Sequence, residues 1–400
     1  LPGYINGVPY LGRSQDLALP VKFSENVGFS GSVNRLMSDV TALRLTVGSM
    51  RFMDWQRIRR PGGGFVGEGM PPVYWFTRYM PEERLADSLG FFHTGVHPNV
   101  WLDSRADVNT VKLDLESHPN SRFRFKSGIS AAAYDLYEFS VYAPQFGNVY
   151  VTRWDARPYS MAGFFQGDLR LSGGVVTTAG LRLDGFDPNT TMLSQDAGTV
   201  TEVEPKWQLS PRVGLSVPFG ERSVFFTTFG HYFQMPPLSH LFLESSYNFA
   251  QERLISGNPD LDAERTQAFE AGVRFTPAER TELSLALYYK DITGLVSTVQ
   301  HLEGAYYRFE NDRSHGMARG LEVTFSRGRG GTLSGHLTYS MGIAKGRFST
   351  PFDPYNYSLE GVYLFSGEDN YLDWDQLHSA GASLELTGFP GDGPSIGGFR

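Results

Sequence analysis

The stretch GNPDLDAERTQAFEAGVRF, residues 257–275, admits two structures, and the choice between them sets the fold. Asn258-Pro259-Asp260 resembles a helix start, and the Ala, Glu, Arg and Gln that follow are good helix formers. Phe269 and Val273 lie four apart, on one helical face. Yet Gln267, Phe269, Ala271, Val273 and Phe275 also alternate, as a strand requires. The next segment decides. Pro277-Ala278-Glu279 is a three-residue link to 280–291, where Leu283, Leu285, Leu287 and Tyr289 alternate with Glu282, Ser284, Ala286 and Lys290. An antiparallel partner that close makes 265–276 a strand, against its local propensity. Gly257 to Glu264 is then the exit of a loop. Phe269, Val273 and Phe275 share one face, the apolar one, and Glu270 and Arg274 the other, the polar one.

The same period recurs elsewhere. Val111, Leu113 and Leu115 alternate with Lys112, Asp114 and Glu116; Phe123, Phe125 and Ile129 alternate with Arg122, Arg124, Lys126 and Ser130. A helix would scatter these charges around its circumference, whereas a sheet collects them on one side. Candidate strands are joined by short polar links: His118-Pro119-Asn120, Ser172-Gly173, Pro218-Phe219-Gly220-Glu221, Pro277-Ala278-Glu279 and Gly328-Arg329-Gly330. Between the hairpins lie long segments, 52–105, 187–206, 235–264, 292–317 and 344–376. Alternating short turns and long loops is the rhythm of an outer-membrane barrel. About thirteen strands result: 21–34, 38–52, 106–117, 121–136, 158–170, 174–186, 207–217, 222–234, 265–276, 280–291, 318–327, 331–343 and 377–388. Tyr288-Tyr289, Phe225-Phe226 and Phe164-Phe165 stand near strand ends, where interface girdles place aromatic residues.

Composition agrees. Aromatic residues make up 14% of the 400, and 45 are glycine, which suits a strand-rich chain with many turns. Lys and Arg number 35 against 43 acidic residues, so nothing in the charge favours nucleic acid. Cysteine is absent, which removes disulfides, thiolate metal sites and cysteine nucleophiles. No run of about 18 apolar residues marks a membrane helix, but a barrel dilutes its apolar positions by alternation. The chain starts Leu1-Pro2-Gly3 and stops at Gly398-Phe399-Arg400, and is expected to be an internal piece of something longer.

Several stretches resemble TonB-dependent outer-membrane receptors, in particular the subgroup with an N-terminal carboxypeptidase-regulatory-like domain. RPYSMAGFFQGDLRLSGGVVTTAGLRLDGFDPNT (157–190) is similar to that family's strand pair with its R-x-D-x-F-D-P-N loop entry. LSPRVGLSVPFGERSVFFTTFGHYFQMPPLSHLF (209–242) is similar to the next hairpin. GNPDLDAERTQAFEAGVRF, YYKDITGLVST and ARGLEVTFSR follow in the family's order. LDWDQLHSAGASLEL resembles its D-W-D-Q-R-H element, with Leu377 in place of the customary Arg. Residues 100–390 carry the resemblance and 1–99 carry little of it.

The resemblance implies an all-β fold: an antiparallel transmembrane β-barrel of the large plugged outer-membrane type, here a partial barrel of about 13 strands out of 22. The plug, TonB box and C-terminal strands are expected outside this chain. It further implies an outer-membrane receptor and transporter for uptake of a bulky extracellular ligand, energised through the TonB system. The implied partners are outer-membrane lipid, the TonB complex through an upstream segment, and an extracellular ligand of unknown identity. The alternatives are an outer-membrane barrel for protein export or surface adhesion, or a soluble β-rich glycan-binding module.

No catalytic, metal or cofactor site is expected. His93 and His97 have helical metal-ligand spacing, but Gly95 and Pro98 break that helix. PGGGFVGEG (61–69) lacks the Gly-Lys-Ser/Thr ending of a phosphate loop. DPNTTMLSQD (187–196) misses calcium-loop spacing, and Asp373 and Asp375 read as the solvated end of a loop. The candidate ligand contacts are outer-loop aromatics: Tyr74, Trp75 and Phe76; Tyr247 and Phe249; Tyr355, Tyr357, Tyr363 and Trp374. Some of these are expected to pack loop on loop. Arg122, Arg124, Lys126, Glu270 and Arg274 are the candidate lumen lining.

Overall fold

The computed structural model describes residues 3–5, 8–10, 20–58, 99–143, 150–193, 200–243, 245–248, 253–301, 306–330, 332–359 and 369–387. The expected loop aromatics Tyr74, Trp75, Phe76, Phe249 and Tyr363, the histidines 93 and 97, and the glycine-rich 61–69 lie outside them.

Thirteen long strands follow one another: β1 (Pro20–Ser38), β2 (Thr41–Ile58), β3 (Asn99–Asn120), β4 (Phe123–Ala143), β5 (Tyr159–Arg170), β6 (Val176–Asp187), β7 (Lys206–Phe219), β8 (Ser223–Gln234), β9 (Glu264–Ala278), β10 (Thr281–His301), β11 (Tyr306–Arg327), β12 (Leu333–Gly346) and β13 (His378–Leu386). Each pairs antiparallel with the next. Residues 264–278 are therefore strand throughout, and the helical reading of this segment fails. Twelve of its residues pair with β8, and Phe269 meets Phe229 on one side and Tyr289 on the other. That two-sided ladder outweighs the propensity of the Ala, Glu and Arg it contains.

Alternation converts directly into two faces. One register row runs Val33, Leu45, Leu113, Ile129, Gly163, Leu183, Leu209 from β1 to β7. Another runs Phe225, Val273, Leu285, Val323, Tyr339 from β8 to β12. Ile129 and Leu287 remain 63% and 58% exposed, which in a water-soluble domain would be costly over so long a belt. Hydrocarbon solvates such a face, so the belt is the lipid side of a membrane barrel. The opposite face carries Arg44 beside Asp114, and Lys126 beside Glu116.

Six tight turns lie at one end, including Glu279–Arg280, where Arg280 takes φ 60°. At the other end the strands outrun the apolar belt, and three of the expected loops, 292–317, 235–264 and 344–376, need correction. Segment 292–317 is not a loop: β10 and β11 pair as far as His301 and Tyr306. Gly294 (φ 72°) marks a bulge there, and Val296, Ser297, Thr298 and Val299 are all buried, so consecutive burial erases period two. Residues 137–157 extend β4 to Ala143 and add a strand at Tyr150–Ala156. Segment 235–264 contains a short helix, α1 (Leu238–Phe242), and strands Ser245–Asn248 and Arg253–Ser256; 344–376 contains α2 (Asp353–Leu359).

Four short strands join the thirteen in one sheet of seventeen. Among the described residues no register pair joins β13 to β1, and every residue of β13 is exposed, so the barrel is open along that line. A hydrogen-bonded ring does close by another route. Segment 150–156 pairs with β4, 245–248 pairs with 150–156, and 253–256 pairs with 245–248 and, in parallel, with 306–308 of β11. At about 4.8 Å per strand, β4 and β11 lie seven steps apart around the wall, about 34 Å, and four steps through this ladder, about 19 Å. The ladder is a chord across the outer mouth.

Candidate functional site

The core of buried hydrophobic residues sits at this outer end, where extended strands, the short strands and helices α1 and α2 meet the segment 257–264. Residues 257–264 hold it together. The Gly257 N–H donates to Leu243 O at 2.7 Å, and a side chain at 257 would stand 2.6 Å from Leu241 O, so only glycine fits. The Asn258 N–H donates to His240 O at 2.9 Å, and its side-chain amide donates to Phe309 O at 3.0 Å. Asn258 Oδ1 accepts the Asp260 N–H at 3.1 Å, an Asx turn. Leu261, 1% exposed, fills the core beneath. The sequence Asn-Pro-Asp thus makes the expected turn, and that turn also ties α1 to β11.

Around it the aromatic residues pack on one another. His240 stacks on Phe309 with centroids 4.4 Å apart, and Phe352 meets Phe309 edge-on at 5.4 Å. Burial holds the His240 imidazole pKa below its usual value. Tyr355, at 4% exposure, meets Tyr307 edge-on at 5.0 Å, and its N–H donates to Thr298 Oγ1 at 3.2 Å. Tyr355 therefore packs loop on loop and is closed to a ligand. Tyr357 is half-buried on α2, and Trp374 is 51% exposed. The backbone of Tyr247 pairs with Val151 and Leu254 inside the ladder. Asp375 Oδ1 accepts the Ala344 N–H at 2.6 Å, a structural cap. Asp187 accepts the Asn189 N–H at 2.8 Å, with Asn189 at φ 48°.

On the polar face, charged residues pair across neighbouring strands. Arg124 donates to Asp168 through Nη2 at 2.5 Å and Nε at 2.9 Å, and Asp168 also accepts from Thr178 at 2.8 Å. Lys126 lies 3.3 Å from Glu116, and Arg274 lies 3.3 Å from Glu282. Glu270 stands between Thr228 and Tyr288. Arg122 does not share this wall. It lies in the turn Ser121–Arg122, where its N–H bonds to Asn120 Oδ1 at 2.9 Å. The alternation of 122, 124 and 126 continues past the point where the strand ends.

Two features escaped the sequence reading. The tie between Asn258 and Phe309 spans 51 residues, and no local pattern signals it. An Arg/Asp network on the apolar side, around Arg51 and Asp107, bridges segments whose alternation was read only in part.

The family profile described as TonB dependent receptor-like, beta-barrel matches residues 37–395. The chain belongs to this family. Its barrel is accordingly an outer-membrane one, and its solved relatives by fold are of that kind. The pyoverdine outer membrane receptor FpvA of Pseudomonas aeruginosa PAO1 aligns with TM-score 0.57 and 9% identity over 93% of this chain and 48% of that one. The ferric-catecholate import receptor Fiu of E. coli K12 gives 0.56 and 13%, covering 94% and 53%. The ferric yersiniabactin uptake receptor FyuA of Yersinia pestis gives 0.55 and 11%, covering 91% and 47%. At these identities the likeness is one of fold. The chain spans about half the length of these structures. No curated protein matches it.

Proposed function

We propose that this chain is the greater part of the barrel of an outer-membrane receptor that takes up a bulky extracellular ligand, energised through the TonB system. The observation that carries this reading is the contrast between the two ends of the wall. One end is closed off in tight turns, and the other is built up into a packed, aromatic-rich mouth. Among the described residues, connecting segments packed this closely make a recognition surface more than a connection. Arg124, Lys126, Glu270 and Arg274 line the passage, and Tyr247, the exposed Trp374 and the half-buried Tyr357 are aromatic ligand contacts. The order of the quoted motifs supports placement in the subgroup with a carboxypeptidase-regulatory-like domain.

The test is growth of a strain deleted for the gene, and of the complemented strain, on a panel of iron chelates, haem, copper complexes, glycans and peptides. Growth on at least one nutrient is expected to need both the gene and an intact TonB complex. Gene-dependent uptake that persists without TonB would refute energisation, and a panel with no gene-dependent nutrient would favour export or adhesion.

A further inference from the structure

Just above the apolar belt, on its own side of the wall, the sheet carries a chain of alternating charges. Arg51 of β2 grips Asp107 of β3 through Nε at 2.6 Å and Nη2 at 3.1 Å. Arg105 lies 3.7 Å from Asp107 and 3.5 Å from Asp135 of β4. Arg157, just before β5, lies 3.5 Å from Asp135 on its other side. Residues 51, 107 and 135 form one register row, two rows beyond Val47, Val111 and Ala131 of the lipid-facing belt.

Depth follows from that register. Ser117 pairs with Phe125 near the turn end, and Asp107 lies ten residues further along β3. At about 3.3 Å per residue and a tilt of about 40°, the network stands about 25 Å above the Phe125 row. That is the height of a barrel's apolar band, so the network lies at the outer headgroup layer. Next to it is a cleft of about 420 Å³, lined by Met53, Trp55 and Tyr137 as well as by Arg105 and Arg157. Of the acidic residues along this cleft, Asp155 shares the register row of Met53, Arg105 and Tyr137, and Asp103 lies one same-face row above. The row nearer the belt holds Arg51, Asp107 and Asp135, with Arg105 one same-face row above and Arg157 beside Asp135. There three guanidinium groups face two carboxylates, and the Arg51 and Arg157 side chains are 55% and 75% exposed. Each guanidinium has five donors in a planar fork suited to phosphate oxygens.

We propose that Arg51, Arg105 and Arg157 form a docking site for the phosphate of an outer-leaflet lipid headgroup, with Asp107 and Asp135 holding the three guanidinium groups in place. Its acyl chains lie along the Val47–Val111 belt, and Met53 and Trp55 flank the headgroup.

The test is native mass spectrometry of the full chain in detergent micelles, titrated with phosphatidic acid or phosphatidylcholine. Preferential retention of phosphatidic acid is expected, and it should weaken about tenfold in R51Q/R105Q/R157Q. Arg329→Gln, at the turn end of the wall, should retain it as the parent does. Should the triple variant lose heat-modifiable gel migration, Arg157→Gln alone keeps the Arg51–Asp107 pair and should bind two- to threefold more weakly. Three results overturn the proposal: equal retention in parent and arginine variants, full displacement by excess inorganic phosphate, and retention that disappears with a chelator. The second would mark a soluble-anion site, and the third a cation-bridged contact.

Discussion

The side-chain amide of Asn258 donates to the carbonyl of Phe309 across 51 residues, within a core where Asn258 is 6% exposed. Cutting that bond leaves a buried carbonyl without its donor, which costs about 1–3 kcal/mol. Asn258→Ala should therefore loosen the mouth while the barrel stays formed. Hydrogen exchange of 238–262 is expected to rise with heat-modifiable migration unchanged; unchanged exchange would contradict the role given to Asn258.

Gly257→Ala tests the same junction by crowding. The added methyl meets Leu241 O and Leu243 N at 2.6 and 2.7 Å, both backbone atoms that cannot rotate away. A cost of about 1–3 kcal/mol is expected, as for other overpacked sites. Limited proteolysis within 235–256 should accelerate, and a protected fragment identical to the parent's would show that the strand and helix can part.

His240 gives the mouth a pH dependence of known sign. Burial lowers its folded pKa, so below the unfolded value of about 6.5 the unfolded state gains a proton that the folded state refuses. Loop stability therefore falls as pH drops from about 6.5 toward the folded pKa. His240→Phe keeps the stack on Phe309 and removes the titration. The gap between variant and parent in exchange protection should widen from pH 7 to pH 5; a gap independent of pH would rule the effect out.

The register of β9 makes opposite predictions for adjacent residues. Phe269 is 48% exposed on the lipid side, in the register row of Tyr289 and Arg319, so Phe269→Arg should cost about 1 kcal/mol, as at the interfacial edge of an apolar band. Glu270→Gln, on the polar side, should stay within about 0.5 kcal/mol. Urea unfolding in lipid vesicles reads both. A larger loss at 270 than at 269 would invert the faces of the sheet.

All thirteen long strands were legible in the sequence because turn residues bounded clean alternation. The segments that misled did so for physical reasons. Ser297 and Thr298 are polar yet buried beside Val296 and Val299, so neither face of β10 reads as wet. The strand Tyr150–Ala156 mixes Arg153 and Asp155 with Trp154, which is 7% exposed and meets Phe242 at 6.5 Å. Arg122 kept the alternating pattern into a turn. At the mouth, the Gly-Asn-Pro turn was visible, but its partner Phe309 lies on the distant strand β11, and a single chain read in order carries no sign of that contact. Tyr355 showed only that it was aromatic, not that it faced inward.

The open line between β13 and β1 has a directional consequence. Strands alternate up and down, so the first and the thirteenth run the same way. Zipping these two edges directly would create a parallel seam, whose slanted bonds occur, among the described residues, only at the short 253–256 contact. An all-antiparallel closure needs an odd number of intervening strands, from whatever chain supplies them, and so an even total. The parity of the finished cylinder is already written in the orientation of its two free edges.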